Sequence, residues 1–478
     1  MKIRLLSITF IIFAFGKFSF AGNNEDLVAA CKKNDLAAAQ KAITAGADVN
    51  FKDAEGWSPI TAAIFSPEIT KLLLENKADP NSGTSPALVN AAGAGSYEVM
   101  QLLLNAGADP NKPMLVDPSA TYKKLLADEK AKGKDANKFM VKAYQDLVDK
   151  ATSTPPATLY AIQLVVTRTI NNQCLELLIA KGAKTDVLNV NSGGNLLDDF
   201  AFSALPAADW INNNKAQVDG WEKMGFVLPS WYKNPDPAKT GSIDAMIKDL
   251  IKAGVDINAI NKIKDTPLLT SLNRGTQTTS EVVLAFVNNG ADINAEGYGY
   301  KGPALLQVAG YGFTDVLEAM AAKGADLNAE FKVNDVTTGQ SLKGISLLMW
   351  AARNGKLDAV KYLVSKNAKL NQAAYGTSYN TKTNCLTSVK NKTALFFAIE
   401  GENPDVVSYL VETGGENWKT KMTIDQWKKS TYNETQMGTF EVTTQTTSCF
   451  DDKDYSPSDY AKAAALPAIA DYLKSKKL

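Results

Sequence analysis

The feature that most constrains this chain is a five-residue signature that keeps returning. It stands at Gly46-Ala47-Asp48-Val49-Asn50, Lys77-Ala78-Asp79-Pro80-Asn81 and Gly107-Ala108-Asp109-Pro110-Asn111. It recurs at Gly254-Val255-Asp256-Ile257-Asn258, Gly290-Ala291-Asp292-Ile293-Asn294 and Gly324-Ala325-Asp326-Leu327-Asn328, with weaker copies at 182–186, 367–371 and 414–418. Adjacent copies are 31, 30, 36 and 34 residues apart, counted aspartate to aspartate. Each follows an amphipathic run such as Val99 to Leu104 or Val360 to Val364, and upstream of that lies an alanine-rich partner such as Leu347 to Gly355. A helix pair this short cannot bury its own apolar stripe. Such units are stable only when stacked, so the pattern predicts a solenoid.

The period and the signature resemble the ankyrin repeat. Its Thr-Pro-Leu opening is present as Thr266-Pro267-Leu268, with degenerate forms at Ser58-Pro59-Ile60 and Lys392-Thr393-Ala394-Leu395. The resemblance covers most of residues 24 to 474 in roughly ten units. It implies an all-α solenoid of helix–turn–helix units joined by β-hairpin fingers. It also implies a recognition scaffold that holds a protein partner on the concave surface of fingers and first helices. In that fold the signature glycine closes the second helix in a left-handed conformation. Pro67, Pro404 and Pro467 each open a second helix, where the missing N–H costs nothing.

The first residues point to export. Lys2 and Arg4 precede an apolar run from Leu5 to Gly16, and Ser19-Phe20-Ala21 supplies small residues for cleavage after Ala21. The run is too short to cross a bilayer, which takes about 20 residues; the alternative is an uncleaved anchor. Removal of residues 1–21 leaves 48 basic against 51 acidic residues. That balance gives no footprint for nucleic acid and none for membrane insertion after cleavage. The expected location is the bacterial periplasm or the exterior.

Insertions divide the array into repeats at 22–111, a Lys- and Ala-rich helical insertion at 112–153, repeats at 154–201, a Trp- and Pro-rich insertion at 202–241, and repeats at 242–478. Because they follow the signature, the insertions are expected on the finger side. The second holds Trp210, Trp221 and Trp231 with Phe226 and Tyr232. Those rings make either a satellite core or a partner-binding patch, since Trp and Tyr dominate interface hot spots. The fingers at 329–343, 372–391 and 419–453 are Thr- and Asn-rich, with Phe440 to Thr444 the clearest strand, and neighbouring repeats are expected to set them side by side as an extended sheet over the concave face. Cys31 and Cys174 fall at inward helix positions as buried thiols. Cys385 and Cys449 fall in consecutive fingers and are expected to form a disulfide in an oxidising compartment.

Little in the chain points to chemistry. It has no histidine, which removes Ser-His-Asp and Cys-His catalysis and imidazole metal sites. Gly297-Tyr298-Gly299-Tyr300-Lys301-Gly302 matches a dinucleotide string but lies in a finger, not between a strand and a helix. Asp198-Asp199 reads as a solvated helix face, and Asp451-Asp452 lacks further calcium ligands at motif spacing. A Ser–Lys hydrolase needs no histidine, but no local motif supports one. The reading is a non-catalytic protein-binding scaffold of the adaptor or immunity kind, with no cofactor and no metal. Its contact residues are expected among Trp210, Trp221, Trp231, Tyr232, Tyr298, Tyr300, Tyr375 and Tyr379. The alternative is an enzyme or glycan binder using the 202–241 aromatics.

Overall fold

A computed structural model describes residues 20–478 apart from 54–55, 84, 118, 136, 153–156, 170, 205–214, 216, 234–240, 298–301, 336–339, 381–384, 415–417, 420 and 426–452. The chain forms two compact units, Met1–Asn261 and Lys262–Leu478. The first stacks five helix pairs: Phe20–Lys32 with Leu36–Thr44, Pro59–Ala62 with Pro67–Glu75, Ala87–Ala94 with Tyr97–Asn105, Ala161–Leu164 with Asn172–Ala180, and Leu196–Ser203 with Ile243–Lys252. The second stacks Pro267–Leu272 with Ser280–Asn288, Ala304–Tyr311 with Thr314–Ala322, Leu347–Arg353 with Leu357–Ser365, Ala394–Glu400 with Pro404–Gly414, and Pro457–Ala463 with Pro467–Ser475.

The signature explains how pairs join. Each aspartate closes a tight turn by accepting the N–H two residues on, as Asp48 does from Asn50 and Asp79 from Asn81, both at 2.9 Å. The asparagines of the first three copies then reach the next repeat with both ends of the amide. Asn50 donates to the Lys77 carbonyl and accepts from the Asp79 N–H; Asn81 does the same with Gly107 and Asp109. Asn111 makes the same pair of bonds to Gly182 and Lys184, at 2.9 and 2.8 Å. The ladder therefore runs straight past the residues inserted after 111. Gly107, at φ +91°, takes the left-handed turn that ends its second helix. Thr266 and Ser58 cap first helices by accepting from Leu269 and Thr61, and Pro67, Pro404 and Pro467 begin second helices.

The architecture is not all-α. Strands β1 (Met114–Val116) and β2 (Ala157–Leu159) pair antiparallel at the base of the first insertion, whose helices Ala120–Ala131 and Lys138–Thr152 pack together. In the second unit β3 (Phe331–Asp335), β4 (Gln340–Ile345), β5 (Ala373–Asn380), β6 (Cys385–Thr393), β7 (Met422–Asp425) and β8 (Lys453–Tyr455) form one antiparallel sheet in sequence order. The physical reason is a match of spacings. A hairpin contributes two strands about 4.8 Å apart, so each repeat advances the sheet by roughly 9–10 Å. Packed helices are spaced about 8–10 Å, so three successive fingers stay in register with the helices below them. Leu342, Ala374, Val389, Met422 and Ile424 form the buried side of the sheet, while Lys343, Tyr375 and Lys390 are exposed.

The second insertion also differs from expectation. It interrupts a repeat, lying between the first helix Leu196–Ser203 and the second helix Ile243–Lys252. It thus leaves the stack at the inter-helix turn, away from the fingers.

Candidate partner-binding surface

In the first unit the inner, first-helix side of the opening two repeats is built around Lys32, Trp57 and Phe65. Lys32 ends the first helix of its repeat; Trp57 and Phe65 flank the first helix of the next. Trp57 is fixed by Asp53, whose carboxylate accepts the Trp57 N–H at 2.6 Å and stands 3.7 Å from the Lys32 ammonium. That ammonium lies 5.4 Å from the Trp57 ring centre. The platform is aromatic and edged by one cation.

Residues 217–233 of the second insertion are seated on it. Trp221 meets Trp57 and Phe65 edge-on, with ring centres 6.3 and 5.4 Å apart. Phe226 lies 5.4 Å from Trp57 and 5.9 Å from Phe65, and Tyr232 lies 5.0 Å from Phe65. The Val227 N–H donates to the Lys32 carbonyl at 2.8 Å, using a helix-end carbonyl that has no partner within its helix. Phe226, Leu228 and Tyr232 are buried, and burial raises the Tyr232 phenol above its usual range. Trp231, half-exposed, stands edge-on to Tyr232.

In the second unit the sheet folds back over the first helices. Lys392, at the foot of β6, is 1% exposed, and its ammonium donates to Ser378 Oγ on β5 at 2.7 Å and to Glu400 Oε2 at 2.6 Å. Glu400 ends the helix Ala394–Glu400, so hairpin β5–β6 must lie along that helix for one ammonium to touch both. The Lys392 ammonium also sits 4.5 Å from the Phe397 ring centre. A Ser–Lys contact of this length invites comparison with a hydrolytic dyad. Burial does lower the Lys392 pKa, but Glu400 opposes the loss of its proton. Ser378 is 4% exposed, leaving no approach for a substrate. The pair is a structural tie between finger and helix.

Asp198 and Asp199 are both buried, contrary to the solvated face expected of them. Asp199 accepts from Asn189 at 2.6 Å and Gln163 at 3.3 Å; Asp198 accepts from Asn261 at 3.1 Å and Ser192 at 3.4 Å. Asn189 and Asn261 come from successive fingers, so the carboxylates are held by amide donors. Desolvation pushes the Asp199 pKa up to about 6, against those hydrogen bonds. Gly194 leaves the room this needs, since a Cβ there would sit 1.9 Å from Asp198 Oδ2.

Of the aromatics singled out from the sequence, Trp221 and Tyr232 face inward and Trp231 is half-exposed. Tyr375 stands exposed on the outer side of β5, while Tyr379, on the same strand, is opposite Leu386. Trp210, Tyr298, Tyr300, Asp451-Asp452, Phe440 to Thr444 and Cys449 lie outside the described residues, as do residues 1–19. Among the described residues no strand leads directly into Gly297, no group of three or more acidic, Cys or His side chains is placed to hold a metal, and no helix is long and apolar enough to cross a membrane. Cys31 and Cys174 are buried thiols, each pushed up to about 12 by desolvation. Sequence reading missed Lys32, Trp57, Phe65 and Lys392. A tryptophan just before the Ser58-Pro59-Ile60 opening was the available signal for the first group.

Two stretches of the chain, residues 27–114 and 330–421, match the family model described as Ankyrin repeats (3 copies). No curated protein matches the chain.

Proposed function

Taking as premise that the chain carries ankyrin repeats, which are generally protein–protein interaction modules, we propose that it is a non-catalytic scaffold working in the bacterial periplasm or outside the cell. It binds a protein partner there as an adaptor or as an immunity-type blocker. The leader-like residues 1–21 support export, and a Cys385–Cys449 disulfide belongs to the same reading. The observation that carries the scaffold role is the Asp/Asn ladder, which runs from Asn50 through Asn81 to Asn111 and on across the first insertion. It keeps the repeat frame constant while insertions and fingers of differing composition are hung on it. A glycan platform needs free ring faces, and two of the three described rings at 221, 231 and 232 are spent on internal packing.

Crosslinking the mature protein in its native envelope, followed by mass spectrometry, tests this. A dominant protein partner, reproducibly captured, is the expected result. Retention on cell-wall glycan with no enriched protein would overturn it.

A further inference from the structure

The first two repeats hold a segment that enters the chain some 150 residues later, and the nature of that contact says what the surface recognises. The anchors Trp221, Phe226 and Tyr232 are spaced five and six residues apart and fall on Trp57 and Phe65, while a backbone N–H of the same segment is read by the Lys32 carbonyl. That combination of ring pockets and a main-chain hydrogen bond is how a peptide groove is built. The other side of the segment is not core-like: Met224, Val227 and Trp231 are about half-exposed, and Glu222 pairs with Lys233 at the surface. Both the Asp/Asn ladder and the helix pairs beneath exist without it.

We propose that the groove of Lys32, Trp57 and Phe65 is a recognition site for a protein segment bearing spaced aromatic anchors, and that residues 217–233 occupy it as a tethered mimic of that partner segment. The inference rests on the scaffold reading and names its surface. A tether sets an effective concentration on the order of 1 mM. For a groove affinity of about 10 μM, an external segment would therefore bind the intact chain roughly 100-fold more weakly than the open groove. A partner with the same chemistry must outcompete the tether, which makes the groove selective for segments better than the chain's own.

The test uses the full mature chain and a fluorescently labelled synthetic peptide of residues 217–233, followed by anisotropy. In one variant Trp221→Ser, Phe226→Ser and Tyr232→Ser loosen the segment; in a second, residues 217–233 are replaced by Gly and Ser at equal length. Each variant is expected to bind the peptide saturably, at least 30-fold more tightly than the intact chain, and adding Trp57→Ala with Phe65→Ala is expected to abolish binding. Folded variants that ignore the peptide, or an intact chain that binds it equally well, would overturn the proposal. So would failure of both variants to fold, which makes the segment part of the core. An intact chain that is a dimer until Trp57→Ala is introduced assigns the groove to a second copy and overturns it too. None of these readouts depends on an external partner being captured, so the scaffold reading stands or falls separately.

Discussion

The tie between finger and helix offers the sharpest quantitative prediction. At 2.6 Å and an effective dielectric of about 20, Lys392 and Glu400 attract by roughly 6 kcal/mol before the cost of removing both from water. Their side chains are only 1% and 6% exposed, so that cost is large and the net value of the intact pair is small. Removing one partner is different, because it strands the other. Lys392→Met is expected to cost about 3–5 kcal/mol, as Glu400 is left buried without a cation. Glu400→Gln is limited by a release route: burial already lowers the Lys392 pKa, so the stranded amine sheds its proton. With the folded pKa depressed, the unfolded chain binds more protons below the ordinary lysine value. Stability of Glu400→Gln should therefore rise with pH, and its deficit should be greater at pH 6 than at pH 9. The double variant is expected to cost less than the sum of the singles by 2 kcal/mol or more, since Met fills the space over Phe397 and no charge remains. Stacked repeats need not unfold in one step, so the assay is hydrogen exchange read by mass spectrometry on peptides spanning β5, β6 and residues 394–400. Single substitutions costing under about 1 kcal/mol, or strict additivity, would refute the view of Lys392 as the buried tie.

Three further outcomes follow from the structure. Asp199 titrates near pH 6 in the fold against an ordinary 3.8, so the folded state holds the extra proton; this penalty, on the order of 3 kcal/mol, is present above pH 6 and relieved as pH falls toward 4. Denaturant melts of the chain should show a stability gain between pH 7.5 and pH 5 that Asp199→Asn removes, and an unchanged profile in that variant would be the contrary result. Gly376 adopts φ +129° at the register shift in β5, and a Cβ there would lie 2.1 Å from the Ser341 carbonyl oxygen. Gly376→Ala should thus break the β4–β5 pairing, seen as lost exchange protection at residues 341–343 with the helix pairs intact. Finally, chain secreted under oxidising conditions and unfolded without reductant should present two reactive thiols, Cys31 and Cys174; four would exclude the Cys385–Cys449 disulfide.

How much of this was legible depends on how local the determinant is. Asp-x-Asn works through bonds to the next repeat at a fixed spacing, so its period announced the stack without knowledge of any distant residue. Pro67, Pro404 and Pro467 act within a single turn and were equally plain. The sheet was legible in outline: alternation marked the fingers as strands and their place in consecutive repeats set them side by side as an extended sheet, while the register of each pairing follows from repeat spacing and strand spacing coinciding, which composition does not state. Lys392 was invisible, because a lysine beside Asn391 and Thr393 is exposed by default, and only the fold of β5 onto the helix brings Ser378 and Glu400 to it. Asp198 and Asp199 misled for the same reason, their donors coming from residues 163, 189, 192 and 261.

The two units reach the same result by different means, and the cause is in the repeat itself. After the opening repeat a first helix runs four to eight residues, and such a short helix leaves a shallow inner face that its own helix pair does not fill. Where that face carries large rings, as at Trp57 and Phe65 or at Phe397, leaving it bare would expose apolar surface continuously. In one unit an insertion at the inter-helix turn lies across it; in the other, lengthened fingers bend down onto it. The two covers are not equivalent. The sheet is bonded strand to strand and locked by a buried charge pair, so its removal costs the unit its own core. The segment 217–233 is held by ring contacts and one main-chain bond to Lys32, and its outer side remains half-exposed. A cover that can be lifted without unpairing a ladder is the one suited to exchange with a partner, which is the ground for the recognition site proposed at the first two repeats.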